Sequence, residues 1–191
     1  MKLTRKLPLT LILCLLFAAP SSAFALGLGF GAKLGLGNGL PEDDDAGDIS
    51  ITAGYLVANL NLMAVAVEGN IGLIRGASDD LDDTYSDELS VVALVKTGIP
   101  IIPAVLSLDF GAGIDQRILM GTTVGDKELD DVSGNRTLIP LSIQASGTIL
   151  LARVYGEVRY NHEIAGSYEI DGVEADTKKV NELLFLVGAT F

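Results

Sequence analysis

The stretch Leu183-Leu184-Phe185-Leu186-Val187-Gly188-Ala189-Thr190-Phe191 closes the chain, and its spacing decides how the rest is read. Leu183, Phe185, Val187, Ala189 and Phe191 occupy every second position, and all are apolar. A period of two is strand geometry, because successive side chains leave a strand on opposite faces. A strand that ends the chain on an aromatic residue still needs a partner on each edge. A closed barrel supplies both by pairing the last strand with the first. The competing reading is a sandwich strand that happens to come last.

Working backwards and forwards from this stretch, the same alternation recurs in segments of about ten residues. Around 26–36, Leu26, Leu28, Phe30, Ala32, Leu34 and Leu36 alternate with Gly27, Gly29, Gly31, Lys33 and Gly35. Around 49–58, Ile49, Ile51, Ala53, Tyr55 and Val57 oppose Ser50, Thr52 and Gly54. Further segments lie near 63–74, 88–97, 104–116, 138–147 and 151–162, and the terminal one starts near Val180. That makes eight strands. The face opposite the apolar one carries Gly, Ser and Ala with isolated charges. In an eight-stranded barrel the interior is just wide enough to be filled by side chains, so these small residues suit the inside. The apolar face then meets lipid, and ten tilted residues match the hydrocarbon core. A lipocalin-like soluble barrel would instead need frequent Lys and Glu outside.

Charge is segregated along the chain in the way this architecture requires. Residues 1–25 read as a secretory signal: Lys2, Arg5 and Lys6, an apolar run, then Ala23-Phe24-Ala25 as a cleavage site. Cys14, the only cysteine, lies within it, so the expected mature chain, 26–191, holds no disulfide and no thiolate metal site. Removing three of the 13 cations leaves ten against 25 acidic residues, a formal −15, although 49% of the whole chain is apolar. The conflict disappears because 19 of the 25 acids fall in four long connections, near 37–48, 75–87, 118–135 and 163–177. Short connections near 59–61, 98–103 and 147–150 alternate with them. Such alternation fits tight turns on the periplasmic side, where both termini also fall, and long extracellular loops. So acidic a surface disfavours nucleic acid as a partner.

Taken together, the terminal alternation, the signal and the loop pattern resemble the small eight-stranded outer-membrane barrels of the protein A and X type. The resemblance spans the whole mature chain. It implies an all-β, transmembrane, antiparallel up-and-down barrel, monomeric and non-enzymatic, with no cofactor. It also implies outer-membrane lipids including lipopolysaccharide as partners, and an assembly machinery that reads the terminal aromatic, Phe191. Tyr55, Tyr160 and Phe191 are expected in the interfacial girdles, and Pro140 is expected to mark a bulge or a late strand start.

The chemistry-bearing residues fall into three groups. Lys33, Glu68, Lys96, Asp109, Arg153, Glu157 and Arg159 are expected inside as a salt-bridged network, either filling the barrel or gating a narrow pore for small solutes or ions. Arg75, Arg117, Arg136, Lys178 and Lys179 are expected at the outer rim, where cations can pair with glycolipid phosphates. His162 follows Tyr155-Gly156-Glu157-Val158-Arg159-Tyr160-Asn161, a run similar to the penultimate-strand region of outer-membrane lipid A deacylases. In that family a serine two positions beyond the histidine is the nucleophile, but Ile164 stands there and Ser167 lies in the loop. Asp43, Asp45 and Gly47 echo part of a calcium-loop spacing without its closing glutamate.

Overall fold

The computed structural model describes residues 27–41, 48–62, 65–78, 84–102, 105–125, 127–129, 132–149, 151–170, 173–175 and 179–191. The expected signal at 1–25, the acidic runs at 42–45 and 79–83, Asp130, Asp131 and Lys178 lie outside the described residues. Ten strands follow in order: β1 (Leu28–Pro41), β2 (Ile49–Leu62), β3 (Val65–Ser78), β4 (Tyr85–Ile102), β5 (Leu106–Val124), β6 (Lys127–Leu129), β7 (Val132–Ile149), β8 (Ala152–Ile170), β9 (Val173–Ala175) and β10 (Val180–Thr190). Eight of them close an antiparallel barrel in the order β10-β1-β2-β3-β4-β5-β7-β8, with β8 returning to β10. The short β6 and β9 pair only with the upper ends of β5 and β8. Phe191 joins the closure directly: its N–H donates to Phe30 O at 2.9 Å, and the Phe30 N–H donates back at 3.1 Å.

The register fixes the geometry. Cα partners followed once around the wall run Leu28, Leu60, Val67, Val95, Ala112, Leu141, Tyr160, Leu183 and back to Asn38. The stagger from Leu28 to Asn38 is ten residues, which for eight strands corresponds to a tilt of about 40°. Ten residues of such a strand rise about 25 Å, the height of an apolar band facing lipid. The outward side chains fit that band: Leu36 is 67% exposed, Val187 66% and Phe185 58%. An apolar surface this continuous is not stable in water. It is a surface for lipid.

Four strands run much longer than the segments of alternation. β4, β5, β7 and β8 have 18 or 19 residues and extend through stretches expected as connections. The physical reason is that period-two apolarity marks contact with lipid, whereas backbone pairing continues into water without it. Short and long connections still alternate, so the barrel has a turn end, with the C-terminus, and a loop end.

The second strand corrects the sequence reading. Ile51, Ala53, Tyr55 and Val57 point inward and are buried, and Thr52 and Leu56 face outward. Tyr55, expected in a girdle, is 2% exposed in the lumen. Its ring lies against Gly72, where any Cβ would clash with it. With Ile74, Val92, Leu94, Leu184 and Leu186 these residues form an apolar cluster inside the barrel. Leu184 and Leu186 fit because the facing positions on β1 are Gly37 and Gly35, whose missing side chains leave the room. The lumen therefore holds apolar side chains beside its charges, and the buried residues of β2 all belong to the apolar part.

Pro140 neither starts its strand nor sits at a bulge. It is buried in mid-β7, and the β5–β7 pairing breaks between Ala112/Leu141 and Asp115/Leu138. A proline has no N–H to give the ladder. The nearby bulge lies between Thr137 and Leu138, on the β8 side.

Candidate functional site

All seven residues expected in the interior network lie in the lumen and connect. Lys33 on β1 donates to Glu68 of β3 and, at 2.6 Å, to Glu157 of β8. Lys96 of β4 reaches Glu68 at 2.8 Å, Glu157 at 3.4 Å and Gln144 at 2.8 Å. The Arg159 Nε donates to Glu157 at 2.8 Å, and its guanidinium lies 5.4 Å from the centre of the Tyr55 ring. Nearer the turn end, Arg153 donates to Asp109 at 2.7 Å, and Gln144 links Asp109 to Lys96. Lys33 and Arg159 are 0% exposed. A charge so placed is tolerable only because each has a carboxylate within hydrogen-bond reach.

A second cluster sits toward the loop end. Arg117 holds both Glu182 oxygens through its two terminal nitrogens and reaches Asp115 at 3.0 Å and Glu88 at 3.2 Å. Arg136 donates twice to Glu163, at 3.0 and 2.8 Å, and through Nη1 to both Glu88 oxygens, at 3.2 and 3.4 Å. Asp115 accepts from Ser90, Glu182 from Asn161 and Glu88 from Tyr168. Arg117 and Arg136 were expected at the outer rim, and the structure places both inside, 1% and 8% exposed. The strands that carry them continue past the point where alternation fades, and at their positions the inward face is the polar one.

Of the rim set, only Arg75 and Lys179 face outward among the described residues. Arg75 is already engaged, forked onto Asp87 at 2.7 Å through two nitrogens and stacked 4.2 Å from the Tyr85 ring centre. His162 is exposed on the outer face and shares 2.9 Å with the Asn181 side-chain oxygen. Ile164 lies beyond it and Ser167 is opposite Asn135, so the imidazole meets Asn181 and not the serine. Among the described residues no group of three or more His, Cys, Asp or Glu could hold a metal ion. The calcium-like spacing at Asp43, Asp45 and Gly47 lies outside them.

The sequence reading missed Glu88, Asp115, Glu163 and Glu182. A usable signal was present, since each shares its strand's parity with an inward polar residue: Glu88 with Ser90, Asp115 with Asp109, Glu163 with Arg159. All six acids outside the long connections, Glu68, Glu88, Asp109, Asp115, Glu157 and Glu182, are buried inside. Among the described residues, six cations face the lumen against seven carboxylates, with Glu163 the seventh. The excess of acid lies at the loop end, where Arg117 and Arg136 meet four carboxylates, while the other four cations meet three.

Two cavities flank this filling. One of about 280 Å³ opens at the turn end beside Asn59, Asn61, Lys96, Asp109 and Arg153. The other, about 140 Å³, lies at the loop end beside Glu88, Arg117, Arg136 and Tyr168. They share no lining residue, and the Lys33–Glu157–Arg159 layer with Tyr55 and Leu186 lies between them.

A closed eight-stranded antiparallel barrel with an apolar exterior and a charge-filled lumen is the architecture of the small outer-membrane barrels. Among solved structures the chain is similar to Neisserial surface protein A, at 12% identity over 86% of this chain and 96% of that one, with a TM-score of 0.60. It is similar also to Ail, the attachment invasion locus protein of Yersinia pestis, at 12% identity over 86% and 97%, TM-score 0.51. A third is the outer membrane protein OprG from Pseudomonas aeruginosa, at 12% identity over 85% and 95%, TM-score 0.53. Identities this low establish a shared fold. No protein-family model and no curated protein matches the sequence.

Proposed function

We propose that the chain is an integral outer-membrane barrel with a structural or surface-interaction role, its turn end and termini in the periplasm and its long acidic connections outside. The observation that carries this reading is the lumen, where a buried ion-pair layer lies between two cavities that share no lining residue, inside a lipid-facing wall. The solved barrels with the same fold include a surface protein and an attachment protein by their names, which supports a surface role. In this reading the partners are outer-membrane lipids, lipopolysaccharide included, and the assembly machinery that recognises Phe191, and the chain acts as a monomer without enzymatic activity. The test is reconstitution into planar bilayers together with heat-modifiable gel mobility. The expected result is a heat-modifiable band and no conductance above that of the bare bilayer. Discrete conductance steps would overturn the closed-lumen reading.

A second reading, a narrow pore, has one observation in its favour. Glu157 is shared by Lys33, Lys96 and Arg159, and Glu68 by Lys33 and Lys96, so partners can exchange without leaving a charge bare. The same bilayer experiment distinguishes the two. A lipid A-modifying activity has no comparable support, because His162 meets an asparagine; an unchanged lipid A mass on expression is the expected outcome.

A further inference from the structure

We propose that the seam between β5 and β7 is where the barrel wall opens, and that Arg117, Arg136 and the carboxylates around them are its clasp. Four features converge on this seam. First, its ladder lacks the rungs at Gly113–Ile114 and Ile139–Pro140, midway along the strands, because Pro140 cannot donate. The register irregularities of the neighbouring ladders lie at strand ends or on the flanks of this seam. Second, Arg117 and Arg136 are direct cross-strand partners, and like charges placed opposite each other repel. Third, the strands part beyond Ile118 and Asn135: β5 takes β6 as its partner, and β7 stays with β8. Fourth, the ladders on both flanks of the seam shift register near this level, with Met120 of β5 the extra residue opposite Asp87/Glu88 and Ile164 of β8 the extra residue opposite Thr137/Leu138.

What holds two opposed guanidinium groups together is contributed mainly by other strands. Glu88 comes from β4, Glu163 from β8 and Glu182 from β10, and Asp115 is the one carboxylate from the seam itself. Glu88 and Glu182 each touch both arginines, so they tie β5 to β7 where the backbone does not. Both arginines also line the loop-end cavity. When the clasp loosens, that cavity opens through the wall of the barrel and not only through its end.

The test is site-resolved amide hydrogen exchange of the folded protein in lipid nanodiscs. Amides of residues 113–118 and 135–140 should exchange at least about tenfold faster than β1–β2 amides at matching depth, such as Gly35 and Ala53. Glu182→Gln should accelerate exchange at this seam again by about tenfold and leave β1–β2 unchanged. Pro140→Val, which restores a donor, should slow it. A disulfide between Ile118→Cys and Asn135→Cys, in a Cys14→Ser background, should suppress it. Uniform protection around the barrel, or first exchange at the shorter β8–β10 ladder, would overturn the proposal, as would acceleration everywhere in the Glu182 variant. If that variant does not fold, the proline and disulfide variants carry the same decision.

Discussion

Glu157 is the residue on which most of the lumen's charge balance depends. It accepts from Lys33, Lys96 and Arg159 and is 3% exposed. Glu157→Ala leaves three buried cations sharing Glu68, and breaking a buried pair in this way costs about 3–5 kcal/mol. The measurement is the denaturant midpoint of the barrel in lipid, which should fall clearly, and Glu157→Gln should recover part of the loss. Arg153→Ala should shift the midpoint far less, because its side chain is about one-third exposed and water can replace it around Asp109. Tyr55 gives a steric counterpart: Gly72→Leu forces a branched side chain into its ring and should cost about 1–3 kcal/mol by overpacking. These residues differ in how readable they were. Lys33 was legible because a lone charge amid small residues at inward parity has nowhere else to go, and Glu157 because it alternates, with Arg153 and Arg159, against an apolar face. Tyr55 was not, because on β2 both faces can be apolar, and period two alone does not say which one lipid covers.

Among the elements, β10 and β7 show what alternation reveals and what it hides. Leu183, Phe185, Val187 and Ala189 do face outward, and the strand they define closes the barrel against β1. Deleting Phe191 removes two backbone hydrogen bonds to Phe30. The folded yield of that deletion, scored by heat-modifiable mobility, should drop well below that of any single aspartate replacement in the long connections. β7 was read from 138 onward, and it begins at Val132. Its first residues carry no lipid-facing stripe, so the pairing that holds them is invisible to a hydrophobic pattern. The arginines of the clasp went unread for a related reason: Arg117 and Arg136 lie just beyond the segments read as strands, 104–116 and 138–147.

At the scale of the molecule, the sequence segregates three environments that the fold then separates in space. Lipid takes the outer stripe, the lumen takes the paired charges and the Leu184–Leu186 side, and water takes the acidic connections. A direct check is depth-dependent quenching by brominated lipids of fluorophores attached at single introduced cysteines. Labels at Leu36, Ile114 and Val187 should quench strongly, and labels at Ser86 or Lys179 weakly. Equal quenching at all five positions would contradict the outward band.

One feature of the lumen bears on how the molecule comes into being. The pair Lys33–Glu157 joins residues 124 positions apart, and Arg117–Glu182 joins residues 65 apart. Neither pair can form within a hairpin. Both require the last strand to be in place, so neutralisation of the interior and closure of the cylinder are one event. Contacts this distant in sequence make for slow formation. The same coupling makes escape slow, since a strand that carries part of the network cannot leave without exposing unpaired charge beside lipid. Once closed, the barrel should persist by the height of its exit barrier, surviving detergents at room temperature for far longer than its equilibrium stability alone would require.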